Sequence, residues 1–207
     1  MFTGLVQATG TIAAVHPLEG GAQAGVHIEV DARALAPRPI AVGDSIAVNG
    51  VCLTATSVVG GRFGADVSHE TLSKTAGLDR LRTVNLETSL ALGDKLGGHL
   101  VSGHVDGVGT VERCAPVAES VELVVLAPAA LARLLAPKGS VAVDGVSLTI
   151  NRVEDVGVAG AGGCRIWINL IPHTVAATTF KELAAGSRVN LEVDMIARYV
   201  ARMLAPI

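Results

Sequence analysis

The chain repeats itself, and the repeat constrains its folding more than any single motif does. Thr3-Gly4 and Gly10-Thr11 return 99 positions later as Ser102-Gly103 and Gly109-Thr110. Asn49-Gly50-Val51-Cys52-Leu53-Thr54 returns after 95 positions as Asp144-Gly145-Val146-Ser147-Leu148-Thr149. Glu70-Thr71 matches His173-Thr174 after 103, and Val84-Asn85-Leu86-Glu87 matches Val189-Asn190-Leu191-Glu192 after 105. Matches in one order with small drifts in spacing imply two domains of one fold that differ in loop length. The period is far too long for a solenoid or propeller, so the 207 residues divide into a tandem pair. The expected boundaries are 1–97 and 98–193, followed by an appended segment at 194–207.

Composition excludes several classes of function. A net charge of −3, no basic stripe and five aromatic residues argue against nucleic-acid binding through phosphate contacts and base stacking. The mean hydropathy of +0.51 raises the question of a membrane. The most apolar stretch, 123–132, contains Pro128 and is bounded by Glu122 and Arg133, well short of the roughly 20 residues a spanning helix needs. The N-terminal Met1-Phe2-Thr3-Gly4 lacks the pattern of a signal peptide. Cys52, Cys114 and Cys164 are odd in number and far apart, and so read as free thiols in a reducing cytoplasm.

Short runs rich in Val, Ile and Thr fill both halves, at 11–15, 26–30, 45–48, 51–58, 83–87, 121–126, 141–143 and 165–170. Turn signals at Asn49-Gly50, Gly60-Gly61 and Asp144-Gly145 make them antiparallel hairpins. About six short strands per half fit a small closed barrel, which also removes exposed edges. The stretch 128–137 opens and ends on proline and predicts a short helix, with a shorter counterpart at 31–36. Ile196, Tyr199, Val200, Met203 and Leu204 line one face of a terminal helix capped by Asp194, with Arg198 and Arg202 on the other face. This apolar stripe has no equivalent after the first half, and oligomerisation is the expected use for it.

Comparing the halves locates the chemistry. His104 stands where the first half has Leu5, Asp144 where it has Asn49, Ser147 where it has Cys52, and His173 where it has Glu70. The second half is therefore better equipped for proton transfer, for which His is the usual group near neutral pH. Bland readings compete with each of these. Asp-Gly is an ordinary turn, Cys52 lies in an apolar strand where thiols pack inertly, and Ser147 lacks the Gly-x-Ser-x-Gly setting of a hydrolase nucleophile. His99 and His104 are five apart and would face opposite ways on one strand, which disfavours a shared metal. Gly97, Gly98 and Gly103 suggest close backbone approach. The residues alone lead to a duplicated barrel that binds a small polar ligand, with chemistry biased to the second half.

Taken together, Met1-Phe2-Thr3-Gly4, 48–54, the 97–107 stretch Gly-Gly-His-Leu-Val-Ser-Gly-His-Val-Asp-Gly, 144–149 and 169–174 resemble the alpha-type riboflavin synthase family. The similarity runs through both halves in the right order. It implies a mainly β protein of two six-stranded antiparallel Greek-key barrels plus a C-terminal helix, assembled as a homotrimer without metal or organic cofactor. The implied reaction takes two molecules of 6,7-dimethyl-8-ribityllumazine and moves a four-carbon unit, giving riboflavin and a ribitylamino-pyrimidinedione. The two substrates would face each other between the first barrel of one subunit and the second barrel of its neighbour. Association with lumazine synthase is a further partner that the resemblance raises.

By motif, the resemblance assigns the first pocket to Gly4, Leu5, Val6, Cys52, Leu53, Thr54, Asp66, Val67, Ser68, His69, Glu70 and Thr71. It assigns the second to Gly103, His104, Val105, Lys138, Ser147, Leu148, Thr149, Ile171, Pro172, His173 and Thr174. The catalytic candidates are His104 as base or proton relay, Ser147 as activator of the nucleophile, Asp144 holding that arrangement, and Cys52. Phe2 is expected either to cover a bound ring or to staple the chain end. The rival class is a non-catalytic antenna protein of the same family that holds a lumazine or flavin. A flavin reductase would need a dinucleotide-binding Gly-x-Gly-x-x-Gly unit that the chain lacks.

Overall fold

The computed structural model describes residues 1–35, 39–157 and 162–205. The first half contains β1 (Ala8–Pro17), β2 (Val26–Asp31), β3 (Ser45–Val48), β4 (Val51–Thr54), β5 (Ser57–Val59), β6 (Arg62–Val67), α1 (His69–Lys74) and β7 (Arg82–Thr88). The second contains β8 (Gly107–Val117), β9 (Ser120–Pro128), β10 (Ser140–Val143), β11 (Val146–Val156), β12 (Gly163–Leu170), α2 (Pro172–Ala177) and β13 (Arg188–Val193), and α3 (Met195–Leu204) ends the chain. Among the described residues no helix is long and apolar enough to cross a membrane.

The second half is a closed six-stranded barrel in the order β10-β11-β12-β9-β8-β13. The first half follows the same order with one difference. Its sheet runs β4-β3-β7-β1-β2-β6-β5, and the two end segments are consecutive in the chain. The single strand expected at 51–58 is thus broken at Ala55 and Thr56, where the backbone changes partners. Ala55 N donates to Asp44 O at 2.9 Å, whereas Thr56 N donates to Gly64 O at 2.8 Å. The second half turns this corner with a bulge in an unbroken strand, between Ile150 and Arg152. The other corner is identical in both halves. Register slips between Ile12 and Ala14 in one and between Val111 and Arg113 in the other, again 99 positions apart.

Each barrel has its own core, built by alternation along the strands. Phe63, Ala65 and Val67 of β6 point inward while Arg62 and Asp66 are exposed. The Asn49-Gly50 and Asp144-Gly145 turns have positive φ at both residues (46° and 78°, 44° and 79°), as two-residue hairpins require. Phe2 is fully buried with Ala47, Val101 and Ala142 in a small cluster of its own, so it staples the chain end.

Several expectations change in detail. The helix expected at 128–137 is a tighter 3-10 turn over Ala129–Leu134, and its counterpart is one such turn at Arg33–Leu35. Position 36 and most of the loop at 157–163 lie outside the described residues. The stretch 98–106 is not a strand, since only Val101 bridges to Phe2. Two six-residue helices, α1 and α2, follow β6 and β12 and carry residues assigned to the pockets. Ser68 caps α1 by accepting from Thr71 N, and Pro172 opens α2.

Candidate functional site

The contacts between the halves come in swapped pairs, the mark of an approximate two-fold axis within one chain. At its centre Gly50 and Gly145 meet so closely that a Cβ on either would lie 2.7 Å from the other's backbone nitrogen. Asn85 Nδ2 donates to Asp144 O at 2.9 Å, and Asn190 Nδ2 donates to Asn49 O at 3.0 Å. Asn85 Oδ1 accepts from Thr179 N and Asn190 Oδ1 accepts from Ala76 N, both at 2.8 Å. Asn49 Oδ1 and Asp144 Oδ1 accept from Asn85 N and Asn190 N, both at 2.7 Å. All four side chains are buried; the Asn85 and Asn190 amides cross between the barrels, while Asn49 and Asp144 brace those two strands within their own halves.

The same symmetry brings the segments assigned to the pockets together, with a crossing the sequence did not show. Glu87 gathers the start of the chain, accepting from Thr3 N and Thr3 Oγ1 at 2.7 Å and from Gly4 N at 3.0 Å. Glu192 repeats the arrangement with Ser102 N, Ser102 Oγ and Gly103 N at 2.7, 2.6 and 2.9 Å. So held, each segment lies on the opposite barrel. Gly4 O accepts from Ser147 N at 2.7 Å, and Gly103 O accepts from Cys52 N at 2.8 Å. Val6 packs on the core of the second barrel and Val105 on that of the first.

The segments are neighbours in a different grouping from that of sequence neighbourhood. Gly4, Leu5 and Val6 accompany Ser147, Leu148 and Thr149, while Gly103, His104 and Val105 accompany Cys52, Leu53 and Thr54. Gly4 (φ 73°) and Gly103 (φ 81°) are required here, because a Cβ would lie 2.6 and 2.5 Å from the Ser147 and Cys52 side chains.

On β4 and β11, Cys52, Thr54 and Thr149 alternate with the buried Val51, Leu53 and Val146, which turns Cys52 and Ser147 outward beneath the crossing segments. Leu148 packs on the second core from the rim. The remaining assigned residues border these strands. His69 and Glu70 are exposed and Thr71 half-buried on α1, with Asp66 exposed, Val67 buried and the capping Ser68 exposed before it. On the second barrel Ile171, Pro172 and His173 are exposed and Thr174 is half-buried. Lys138 is exposed in the turn before β10, its N–H donating to Ile150 O at 2.7 Å. Asp66 Oδ1 lies 2.6 Å from His27 Nδ1, a partner the sequence did not suggest.

The four catalytic candidates occupy unlike environments. His104 is exposed at the crossing, in the place Leu5 holds on the other side. Asp144 is buried in its turn, where loss of hydration pushes its carboxyl up to about 7, opposed by the Asn190 N–H and the charge of Arg82. Its Oδ2, like Asn49 Nδ2, has no partner among the described residues. Ser147 has a neighbour that the comparison of halves did not single out: His99 Nδ1 is 2.7 Å from its Oγ. Burial holds the His99 imidazole below its usual range, and Asp194 and Glu192 oppose that shift. His99 Nε2 is buried without a partner among the described residues. A counterpart 99 positions earlier would precede Met1, so the repeat carried no signal for His99. Among the described residues no three His, Cys, Asp or Glu side chains gather as metal ligands would.

The family model described as "Lumazine binding domain" matches residues 3–89 and again 102–194. Riboflavin synthase from Mycobacterium tuberculosis is 43% identical over 99% of this chain and 98% of its own length. The riboflavin synthases of Bacillus subtilis and Photobacterium phosphoreum are 40% and 39% identical over 99% of this chain and 90% and 89% of theirs. Among solved structures, LumP complexed with riboflavin superposes with a TM-score of 0.75 over 93% of this chain and 99% of its own, at 23% identity. LumP complexed with 6,7-dimethyl-8-(1'-D-ribityl) lumazine gives a TM-score of 0.74, 22% identity and the same coverage. At that identity LumP speaks for the fold alone. The chain belongs to the lumazine-binding domain family and carries the domain twice.

Proposed function

We propose that the protein is a riboflavin synthase: it converts two molecules of 6,7-dimethyl-8-ribityllumazine into riboflavin and 5-amino-6-ribitylaminouracil by transfer of a four-carbon unit. The observation that carries this reading is that both pocket frames are complete. Glu87 and Glu192 hold equivalent segments across Ser147 and Cys52, while the side chains offered at the crossings differ. Identity of about 40% with riboflavin synthases along the whole chain supports the same activity.

In this reading each pocket holds one lumazine. The 7-methyl group of the substrate is acidic because its anion delocalises into the ring system, so the protein supplies a modest base and firm orientation of two rings. His104, exposed at its crossing, takes that proton. Ser147 hydrogen-bonds the nucleophile that adds to the acceptor ring, with His99 holding Oγ in position. Asp144 acts from a distance, by fixing the turn that leads into Ser147. Cys52 occupies the corresponding place in the other pocket.

The pockets of different chains are brought together by oligomerisation through α3, as a homotrimer. Arg198 ties one face of α3 to its own barrel, its Nη2 donating to Asp106 Oδ2 at 2.9 Å. Ile196, Tyr199, Met203 and Leu204 remain 64–83% exposed on the other face. A cytoplasmic location and association with lumazine synthase fit this role. Incubation of the purified protein with the lumazine as sole substrate tests the activity: riboflavin accumulates if the reading is right. Tight binding with altered fluorescence and no riboflavin would instead identify a lumazine-binding antenna protein.

A further inference from the structure

We propose that the seam between the loop after α1 and the start of β13 is a binding site for a small oxyanion of the phosphate class. A cavity of about 220 Å³ lies there, lined by residues 72–73 and 75–80 of the first half and by Arg188 of the second. It shares none of the residues assigned to the two lumazine pockets.

Two arginines, one from each half, face this cavity with their charge unspent. Arg80 and Arg188 are exposed and make no ion pair or hydrogen bond among the described residues. Arg33, Arg62, Arg113, Arg152, Arg165 and Arg198 all have carboxylate partners. A third guanidinium, that of Arg82, packs against Gly77, where a Cβ would displace it. The one acid in the lining is Asp79, which is exposed.

The backbone points the same way. Residues 75–80 run as successive bends with no hydrogen-bonded turn, and Gly77 has φ 83°. The N–H groups of Gly77, Leu78, Asp79 and Arg80 have no partner among the described residues, although Gly77 and Leu78 are buried. The second half supplies the control. There the equivalent stretch forms a 3-10 turn, Thr179–Glu182, and more of its donors have partners: Phe180 N donates to Thr178 Oγ1, Leu183 N to Phe180 O, Ala184 N to Ser187 Oγ and Gly186 N to Val111 O. One copy of the loop is held by a 3-10 turn, and the other lines a cavity with residues whose N–H groups lack partners among the described residues.

Unpaired N–H groups in a concave loop and free guanidinium groups share a preferred ligand, an anion with several oxygen acceptors. At about 30 Å³ per water molecule, the space holds a tetrahedral oxyanion with several waters, or with the first atoms of an ester substituent. The source is then either free inorganic phosphate or the end of a phosphomonoester.

Calorimetric titration of the full-length protein with inorganic phosphate, at constant ionic strength set by chloride, tests the site. Saturable binding is expected, at least tenfold weaker in the Arg80→Gln/Arg188→Gln double variant. Arg188→Lys, which keeps the charge but loses the fork, should fall between them. Both side chains are exposed, so equal thermal midpoints of wild type and double variant in chloride will show that the fold is unchanged. The same titration with ethyl phosphate separates the sources: tighter binding of the ester indicates a phosphomonoester, and weaker binding indicates the free anion. Absence of phosphate binding beyond the chloride control, or equal binding by the double variant, would overturn the proposal.

Discussion

His99 Nδ1 and Ser147 Oγ lie 2.7 Å apart beneath the crossing of the first chain segment, and among the described residues no histidine pairs with Cys52 in the same way. With its pKa held down by burial, His99 is neutral near pH 7 and accepts from or donates to Oγ according to tautomer. Replacing His99 with Ala should lower kcat about ten- to hundredfold with a smaller change in KM, as expected when a group positions a proton-transfer partner. Unchanged kcat and pH profile in a folded His99→Ala protein would separate this pair from the chemistry.

The same histidine predicts a pH dependence of stability. Its folded pKa lies below the unfolded value of 6.5, so below about pH 6.5 the unfolded chain binds more protons than the native one. This contribution therefore weakens as pH falls from that value and levels off below the folded pKa. Urea midpoints at pH 7.5 and 5.5 should differ less in His99→Gln than in wild type.

Asp144 predicts the opposite slope. Its carboxyl is raised from 3.8 to about 7, so the native state holds the extra proton across that window and loses stability as pH rises through it. Asp144→Asn installs the amide that the first half carries at Asn49 and keeps an oxygen for the Asn190 N–H. The variant should gain about 1–2 kcal/mol over wild type at pH 8 and little at pH 4. A variant less stable than wild type at both pH values would refute burial as the cause of the shift.

Glu87 and Glu192 each satisfy two backbone N–H groups and a hydroxyl at a crossing. Removing either carboxylate leaves those donors unpaired, at a cost of about 2–4 kcal/mol. Glu87→Ala should also speed hydrogen exchange at Gly4 and Ser147, whereas Glu192→Ala should act at Gly103 and Cys52. Exchange rising around the mutated residue's own barrel alone would contradict the swapped pairing.

Gly50 and Gly145 meet backbone to backbone, and each has positive φ. Gly50→Ala combines a steric clash with strain in the left-handed region, and should cost about 3 kcal/mol or more. A thermal midpoint within a degree or two of wild type would mean that the barrels do not meet as described.

The repeat was legible because turn residues and strand motifs recur at nearly constant offsets, so two barrels followed from alternation and Asn-Gly or Asp-Gly turns. Ala55 and Thr56 continue the strand pattern, and nothing in the residues marks the change of partner there. The crossing of Gly4 onto Ser147 and of Gly103 onto Cys52 was not legible, since sequence neighbourhood favours pairing within a half and no local signal encodes contact across domains. Asn85 and Asn190 did carry a signal: an amide in the middle of an apolar strand needs a buried partner. The helices α1 and α2 are only six residues long, too short for helical periodicity, and are betrayed only by Ser68 as a cap and Pro172 as an opener.

The most direct measurement of the central claim follows labelled carbon. Lumazine bearing carbon-13 at positions 6 and 7 and in both methyl groups is supplied as sole substrate, and both products are weighed by mass spectrometry. Transfer of a four-carbon unit between two lumazines predicts riboflavin carrying two complete labelled units, an equimolar unlabelled ribitylamino-pyrimidinedione, and one riboflavin for every two lumazines consumed. Riboflavin with a single labelled unit, or lumazine bound and recovered unchanged, would contradict it.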